Sequence, residues 1–531
     1  MLVNIKSKYL LEIIFNNLRK KLKLNLVKYN KNFLQKLGID IKDFQKYKLL
    51  KEINEKLMLN IKDIDINYLD LSEKKLNDNA LEYFDKIEFE NLKVINLSNN
   101  KIKDIKSFIK YKLDKLDLSQ NMISDISSLN NYNFEDLKEL YLNNNELSEI
   151  SVFKNIKLKK LKLLDLSSNL FSDFTELKNL NLDELTEFYF SNNNFTDIKI
   201  LEKVNFQKLE KLDLSNNEII DIDSLENVNF QELITLNLSK NEISDINVFE
   251  KVKFKKLQNL VLSHNKITDL NVFTKVNFKD LKELYLNNNK ISNIKVLKDV
   301  DFKILEKLDL SLNKISDISI FDNVVFKKMK ILNLYGNYNI SNIKALENVH
   351  FKELESLNLG LNQISNIDTF QNANFKELKE LNLFRNDKIS NIYILENVKF
   401  DKLQKLNLGL IKISNINILA NLNFKELKEL DLFSNDIKDI KVLERVKFEK
   451  LEILDLANNQ ISNIEVLENV NFKELKQLYL RNNDISDIKV FEKAKFDKLE
   501  ILDLSKNNID NCINSSVTLN LKTKIKHFYI I

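Results

Sequence analysis

The stretch Leu212-Asp213-Leu214-Ser215-Asn216-Asn217 decides how this chain folds, because its pattern returns along most of the sequence. It reads leucine, any residue, leucine, two residues, asparagine, and it occurs eighteen times with few substitutions. The interval is 24 residues over most of residues 95–507. A fixed period of this size is typical of stacked supersecondary units and not of one ordinary globular core.

The apolar residues of one unit predict a short strand followed by tight helical turns. Leu212 and Leu214 alternate with polar residues, which places them on one face of a strand. The next apolar positions of the unit come at irregular, shorter intervals and indicate a helical turn or two: they are Ile219, Ile222, Leu225, Val228, Phe230 and Leu233. One unit cannot bury these side chains alone, but stacked neighbours can form a continuous core.

The asparagine at the end of each phrase has a structural role. It follows the strand, where the backbone turns inward and its polar groups lose their ladder partners. A buried amide offers a donor and an acceptor to these groups, and leaving them unpaired is unfavourable. The column runs from Asn100 to Asn507 and is interrupted at Ile411.

These features resemble the leucine-rich repeat family, over about four fifths of the chain. The phrase Ile243-Ser244-Asp245-Ile246 also resembles the bacterial internalins and the leucine-rich regulatory subunit of a protein phosphatase. The resemblance implies an α/β solenoid, with a curved parallel sheet on the concave side and short helical turns on the convex side. The position of Asp245 is Asn in other units, so it is interpreted as a turn cap and not as a calcium ligand.

The ends of the chain lack the repeat, which predicts three regions: a helical N-terminal segment at 1–65, repeats at 66–507 and a C-terminal cap at 508–531. The segment 8–18 faintly resembles an F-box, which implies that residues 1–40 dock onto the adaptor of a cullin-type ubiquitin ligase. The alternative is a helical cap over the first repeat. A degenerate first strand is expected at 66–71, and a closing strand is expected to shield Leu502 and Leu504.

Composition excludes several classes of function. The net charge of +4 is too small for a nucleic-acid footprint over the whole surface. The single cysteine, Cys512, cannot form an intrachain disulfide, and no apolar run suggests a signal peptide or a membrane span. Cytoplasmic location is therefore expected. The three histidines show no convergence, and no motif indicates a catalytic residue, a metal or a cofactor.

The sequence therefore predicts a non-catalytic scaffold that binds a protein partner on the concave face, with no nucleic-acid or membrane partner. An F-box-like substrate receptor of a ubiquitin ligase and an adhesin-like surface protein are the alternatives.

A change in the outward residues marks the candidate binding site. The position after the second leucine is small or polar in the early repeats, for example Ser215 and Ser239, and later becomes aromatic or glycine. The predicted partner-binding residues are Leu312, Tyr335, Leu361, Phe384, Leu410 and Phe433, together with Asn358, Asn382 and Asn407. Residues 332–380 and 381–429 align as a duplicated pair of repeats, so the alternative is that each aromatic ring only packs over its neighbour's glycine.

Overall fold

The computed structural model describes residues 41–62, 65–89, 91–105, 111–131, 134–153, 156–324, 326–509 and 515–530. The F-box-like segment and Cys512 lie outside these residues. The chain forms two compact units, Met1–Leu212 and Asp213–Ile531.

The first unit contains six three-residue strands in its described residues, and a seventh lies at the division between the units. They are β1 (Tyr68–Asp70), β2 (Val94–Asn96), β3 (Lys115–Asp117), β4 (Glu139–Tyr141), β5 (Leu163–Asp165), β6 (Glu187–Tyr189) and β7 (Lys211–Asp213). Strands β1 to β6 pair in parallel with their sequence neighbours. The degenerate first strand was expected at 66–71, and β1 lies within that range.

The second unit continues the same arrangement. Its strands are β8 (Thr235–Asn237), β9 (Asn259–Val261), β10 (Glu283–Tyr285), β11 (Lys307–Asp309), β12 (Ile331–Asn333), β13 (Ser356–Asn358), β14 (Glu380–Asn382), β15 (Lys405–Asn407), β16 (Glu429–Asp431), β17 (Ile453–Asp455), β18 (Gln477–Tyr479), β19 (Ile501–Asp503) and β20 (His527–Tyr529). Each pairs in parallel with the next, and equivalent leucines such as Leu284 and Leu308 are in register. The sheet is open, and the predicted α/β leucine-rich solenoid is confirmed.

The return from each strand runs mostly through short 3₁₀ helices, as the irregular apolar spacing predicts. They are Phe84–Lys86, Ser127–Asn131, Ile150–Phe153, Thr175–Asn179 and Lys199–Lys203 in the first unit, and Asp223–Asn227, Asn247–Glu250, Asn271–Thr274, Lys295–Lys298, Ser319–Asp322, Lys344–Glu347, Asp368–Gln371, Tyr393–Asn397, Asn417–Ala420, Lys441–Arg445, Glu465–Glu468 and Lys489–Glu492 in the second. Their inner residues and the strand leucines are buried together, so the core lies between sheet and turns.

Three α-helices lie outside this pattern in the described residues: α1 (Ile41–Leu57), α2 (Asp78–Leu81) and α3 (Ser516–Lys524). The predicted closing strand is β20, whose Phe528 pairs in register with Leu502 of β19. The helix α3 before it was not predicted from the sequence. The proposed boundaries at 65 and 507 stay predictions.

The column of asparagines from Asn100 to Asn507, one per repeat except at Ile411, is here called the asparagine ladder and joins successive turns. Asn241 is typical: its Nδ2 donates to the carbonyls of Leu214 (3.0 Å) and Leu238 (3.1 Å). Its Oδ1 accepts from the backbone N–H of Ile219 at 3.1 Å, in the preceding repeat. One amide thus satisfies groups that water cannot reach, and the predicted structural role is confirmed.

Two repeats carry one extra residue after the ladder position, and the extra residue disturbs the ladder at the next repeat. In ordinary repeats, the backbone N–H two residues after a ladder asparagine donates to Oδ1 of the ladder asparagine in the next repeat. The N–H of Ile315, for example, donates to Asn337 at 3.0 Å. After Asn337 the corresponding isoleucine comes one residue later, and Oδ1 of Asn362 has no hydrogen-bond partner among the described residues. Asn362 is only 1% exposed, so this is a buried, unpaired acceptor.

The interruption at Ile411 follows the second extra residue and has the same origin. The N–H of Ile389 is already bonded to the carbonyl of Asn386 at 3.0 Å, so an amide at position 411 would lack its usual donor. An isoleucine avoids that unpaired oxygen. The turn also differs here, because Lys412 has φ +60° and the N–H groups of Ile411 and Ile413 share Oδ1 of Asn435, both at 3.2 Å.

We predict that Asn362→Ile is neutral or stabilising, whereas Asn386→Ile is strongly destabilising. Each carbonyl that accepts a hydrogen bond from Asn362 also accepts one from a second donor. The second donors are the side chains of Asn337 and Asn386 and the backbone N–H of Gly336. Loss of Asn386 would leave the N–H of Ile364 and the carbonyl of Leu383 unpaired, at roughly 1–3 kcal/mol for each group.

Chemical denaturation of the two variants measures this difference, and they form a matched pair because both sites are buried. Equal losses of unfolding free energy would contradict this account of the ladder.

Candidate protein-interaction surface

The outward residue between the two strand leucines is asparagine in four consecutive strands, β12 to β15. This asparagine row consists of Asn333, Asn358, Asn382 and Asn407, all half-buried. Each Oδ1 accepts from the backbone N–H two residues later, at 3.1, 3.1, 2.8 and 2.9 Å respectively. This is the local bond by which Asx residues cap turns, so the amide oxygens are committed to the fold.

The amide nitrogens of the row remain as donors. Those at its two ends are engaged, since Asn333 donates to Asp309 at 3.1 Å and Asn407 donates to Asp431. Within the part of the chain that the structure describes, Nδ2 of Asn358 and of Asn382 has no partner. The middle of the row therefore offers free hydrogen-bond donors.

The second part of the predicted site is the apolar strip: Leu312, Tyr335, Leu361, Phe384, Leu410 and Phe433. All six side chains are half-buried. Tyr335 lies against Gly360 and Phe384 against Gly409, with ring Cδ2 atoms 3.0 and 3.1 Å from where a Cβ on each glycine would be. The rings therefore pack over the neighbouring glycines, as the alternative based on the duplicated repeats predicted. This packing leaves part of each side chain accessible.

The leucines of the apolar strip occupy a backbone conformation that does not favour them. Leu312, Leu361 and Leu410 have φ of +53°, +55° and +57°. The other repeats have the same left-handed backbone at this position and carry asparagine, as at Asn216, or another polar residue or glycine, as at Lys240. Asparagine and glycine tolerate this conformation well. For an ordinary L-residue the conformation costs roughly 1–2 kcal/mol. Neither helix nor strand propensity explains three leucines there.

Beside the strip, the outward residues of β13 to β17 line a groove of about 350 Å³. Acidic side chains outnumber basic ones in the lining of this groove. Lys405 is paired with Glu429 at 3.1 Å and with Glu380 at 3.9 Å, so its charge is locally neutralised. Asp431 and Asp455 continue the asparagine row on the next two strands and have no cationic partner among the described residues.

Burial raises the pKa of both aspartates. For Asp455 burial raises the pKa to about 6; the N–H of Ala457 opposes the rise, and the negative charges of Asp431 and Asp503 add to it. Burial also raises the pKa of Asp431, against the hydrogen bonds from Phe433 N–H and the Asn407 side chain. The sequence prediction omitted both aspartates. The replacement of asparagine by aspartate at the end of the row was the available signal.

The aspartates and asparagines of the Ile-Ser-Asp/Asn-Ile phrase cap turns, as predicted. Oδ1 of Asp245 accepts from the N–H of Asn247 at 2.8 Å, and Asn293 bonds the N–H of Lys295 in the same way at 3.0 Å. In the described part of the chain, no three His, Cys, Asp or Glu residues come together as a metal site would require. No described helix has the length and apolar character needed to cross a membrane.

Comparison with known proteins identifies the class. Family models described as leucine-rich repeats match residues 111–155, 183–227, 207–251, 231–275, 255–299 and 425–469 in two copies each, and 304–320 as a single repeat. The chain thus carries leucine-rich repeats, as its sequence and fold indicate. No curated protein matches the chain.

Two solved structures share the fold, and a third is similar over part of the chain. A leucine-rich-repeat protein of Leptospira interrogans is 23% identical, with 85% of this chain and 98% of that chain covered and a TM-score of 0.53. The Arabidopsis receptor kinase HAESA, in complex with the peptide hormone IDA and the co-receptor SERK1, is 18% identical, with coverages of 87% and 90% and a TM-score of 0.50. An internalin of Listeria monocytogenes is 26% identical, with coverages of 67% and 83% and a TM-score of 0.41.

We predict that Asp455→Asn stabilises the protein at pH 7.5 and has little effect near pH 4. The folded-state pKa of Asp455 lies above the ordinary value of 3.8, so the folded state binds the proton more tightly than the unfolded state does. As pH rises from about 4 to above 6, Asp455 therefore lowers the free energy of unfolding. The gain is at most about 3 kcal/mol. Asparagine is suited to this position, since it caps the same turn in the asparagine row.

The measurement is the free energy of unfolding at both pH values. Asp309→Asn is the control, because Asp309 accepts from Ser311 Oγ and Asn333 Nδ2 and its loss should destabilise. A gain that is equal at pH 7.5 and pH 4 would show that burial of the charge is not the cause.

Proposed function

We propose that this protein is a non-catalytic scaffold that holds a protein partner on the strand face of its second unit, at the apolar strip and the asparagine row. The observation that carries the proposal is the conformation of Leu312, Leu361 and Leu410. Three apolar side chains are kept half-exposed at a left-handed backbone position that holds a polar residue or glycine in the other repeats. Apolar side chains exposed next to one another are typical of contact surfaces.

The chemistry of the surface supports the same reading. The aromatic rings are fixed against glycines, so little side-chain entropy is lost when a partner covers them. Fixed, partly apolar anchors are the side chains that dominate protein interfaces. The donors of Asn358 and Asn382 lie on the neighbouring outward row, two residues before Gly360 and Phe384, and would supply the polar contacts.

Absence of enzymatic activity is part of the proposal and rests on the binding character of this surface and on the repeat class. Cytoplasmic location stays a prediction of the sequence, based on its single cysteine.

We predict that Phe384→Ser combined with Phe433→Ser weakens capture of a partner from native extract and leaves the protein folded. The two rings are half-buried and lie on the outward side of the sheet, so their removal does not open the leucine core. Quantitative mass spectrometry of the captured proteins and thermal unfolding of the variant are the two measurements.

The matched control is Ser215→Ala with Ser239→Ala, at the same position in earlier repeats, which should capture the partner normally. If the double phenylalanine variant binds normally but unfolds early, the aromatics only pack between repeats.

We further predict that Leu361→Asn weakens partner capture while unfolding free energy stays equal or rises by up to about 1 kcal/mol, because asparagine is favoured in the left-handed conformation. A large loss of stability in Leu361→Asn would remove the argument from strain.

A further inference from the structure

We infer that the partner segment in the groove of β13 to β17 is an extended, basic peptide segment, with a Lys or Arg side chain at Asp431 and Asp455. This inference rests on the proposed function, since it names the chemistry of what the same face binds. Two independent features carry it: free hydrogen-bond donors along the row, and carboxylates without cations at the end of the groove.

The free donors of the row suit main-chain carbonyls. Every Oδ1 of the asparagine row is used by a backbone N–H of the protein itself. The side-chain N–H groups of Asn358 and Asn382, in contrast, have no partner among the described residues and are available to a ligand. An extended segment presents carbonyl oxygens along its length and can accept these bonds.

The carboxylates at the end of the groove are less satisfied than their equivalents elsewhere. Asp309 and Asp503 each accept from a serine hydroxyl two residues later, Ser311 and Ser505, both at 2.6 Å. At Asp455 that residue is Ala457, so the hydroxyl donor is missing. Only Oδ1 is bonded, to the N–H of Ala457 at 2.8 Å, and Oδ2 of Asp455 has no partner in the described chain.

The groove is also negative as a whole. It is lined by Glu380, Glu429, Asp431 and Asp455 and by one cation, Lys405. Because Lys405 is paired with the two glutamates, it cannot neutralise the aspartates on β16 and β17. A Lys or Arg side chain of the bound peptide would meet two half-buried carboxylates, which lie on adjacent strands spaced about 4.8 Å apart. Charge-assisted hydrogen bonds of this kind are the strong ones.

The pH dependence follows from the groups around Asp455. The adjacent strands present Asp431 and Glu429 on one side and Tyr479 on the other, and Asp503 lies one strand beyond Tyr479. Since the pKa of Asp455 is raised to about 6, the free protein takes up a proton as pH falls through this value. Protonation removes the charge that a basic side chain requires, so binding weakens below about pH 6.

The test is selection of a random 12-residue peptide library, displayed on phage, against the full chain. We expect enriched peptides to be rich in Lys and Arg, and synthetic fluorescent copies to bind in anisotropy measurements at pH 7.5. Asp431→Asn with Asp455→Asn should weaken their binding at least about tenfold, as loss of a buried charge pair does. Lowering the pH to 5 should weaken binding to the wild-type protein and leave the double variant unchanged.

Asp309→Asn is the matched control, since it removes one carboxylate from the same outward row on β11, outside the groove, and should leave binding unchanged. Enrichment of neutral or acidic peptides, equal binding to the double variant, or no enrichment over the bare support would overturn the inference.

The apolar-strip variant separates this inference from the proposed function. If Phe384→Ser with Phe433→Ser abolishes binding of the same peptides while the aspartate variant binds normally, the face is the binding site and the basic chemistry is wrong. If neither variant affects peptide binding or partner capture, both proposals fall.

Discussion

The buried amide of the asparagine ladder is the interaction on which the rest of this structure depends. Each strand is only three residues long, so most of the backbone lies in turns, where neither sheet nor helix supplies a complete set of hydrogen bonds. One asparagine per repeat donates to carbonyls of its own and the preceding repeat and accepts from an N–H of the preceding repeat, as Asn241 does. Because the same side chain bonds two repeats, it sets both the turn and the stacking.

This shared bonding explains how the protein tolerates irregular repeats. Most second-leucine carbonyls accept from two ladder amides, as Leu359 accepts from Asn362 and Asn386. A single missing amide therefore leaves one donor in place, and Ile411 can occupy a ladder position. The backbone N–H groups that donate to the ladder have no such second partner, because each normally has one acceptor. The two insertions consequently have different outcomes: an unpaired oxygen at Asn362 and an altered turn at Ile411.

The ladder also explains why the outer face of the sheet is free to vary. The leucines and the ladder hold the fold from inside, and in many repeats the outward residue between the leucines caps the next turn. Asn and Asp both do so, as at Asn382 and Asp455. The choice between them changes the charge and the donors of the surface without changing the backbone. A patch with its own chemistry can thus arise on one part of a regular scaffold.

The sequence by itself determined the repeat, the strand register, the buried leucines and the role of the ladder, because a period of 24 residues places equivalent residues beside each other and such contacts are local. It also identified the apolar strip and the asparagine row as a change of surface. It did not predict helix α3, which the repeat does not cover.

Only the tertiary structure decided the state of the surface residues. The half-burial of Phe384 depends on Gly409 in the next repeat, and Nδ2 of Asn358 and of Asn382 is free because no described neighbour accepts from it. The raised pKa of Asp455 arises from burial and from carboxylates on other strands. Burial, hydrogen-bond satisfaction and charge are sums over neighbours in space, and residues far apart in the chain contribute to each of them.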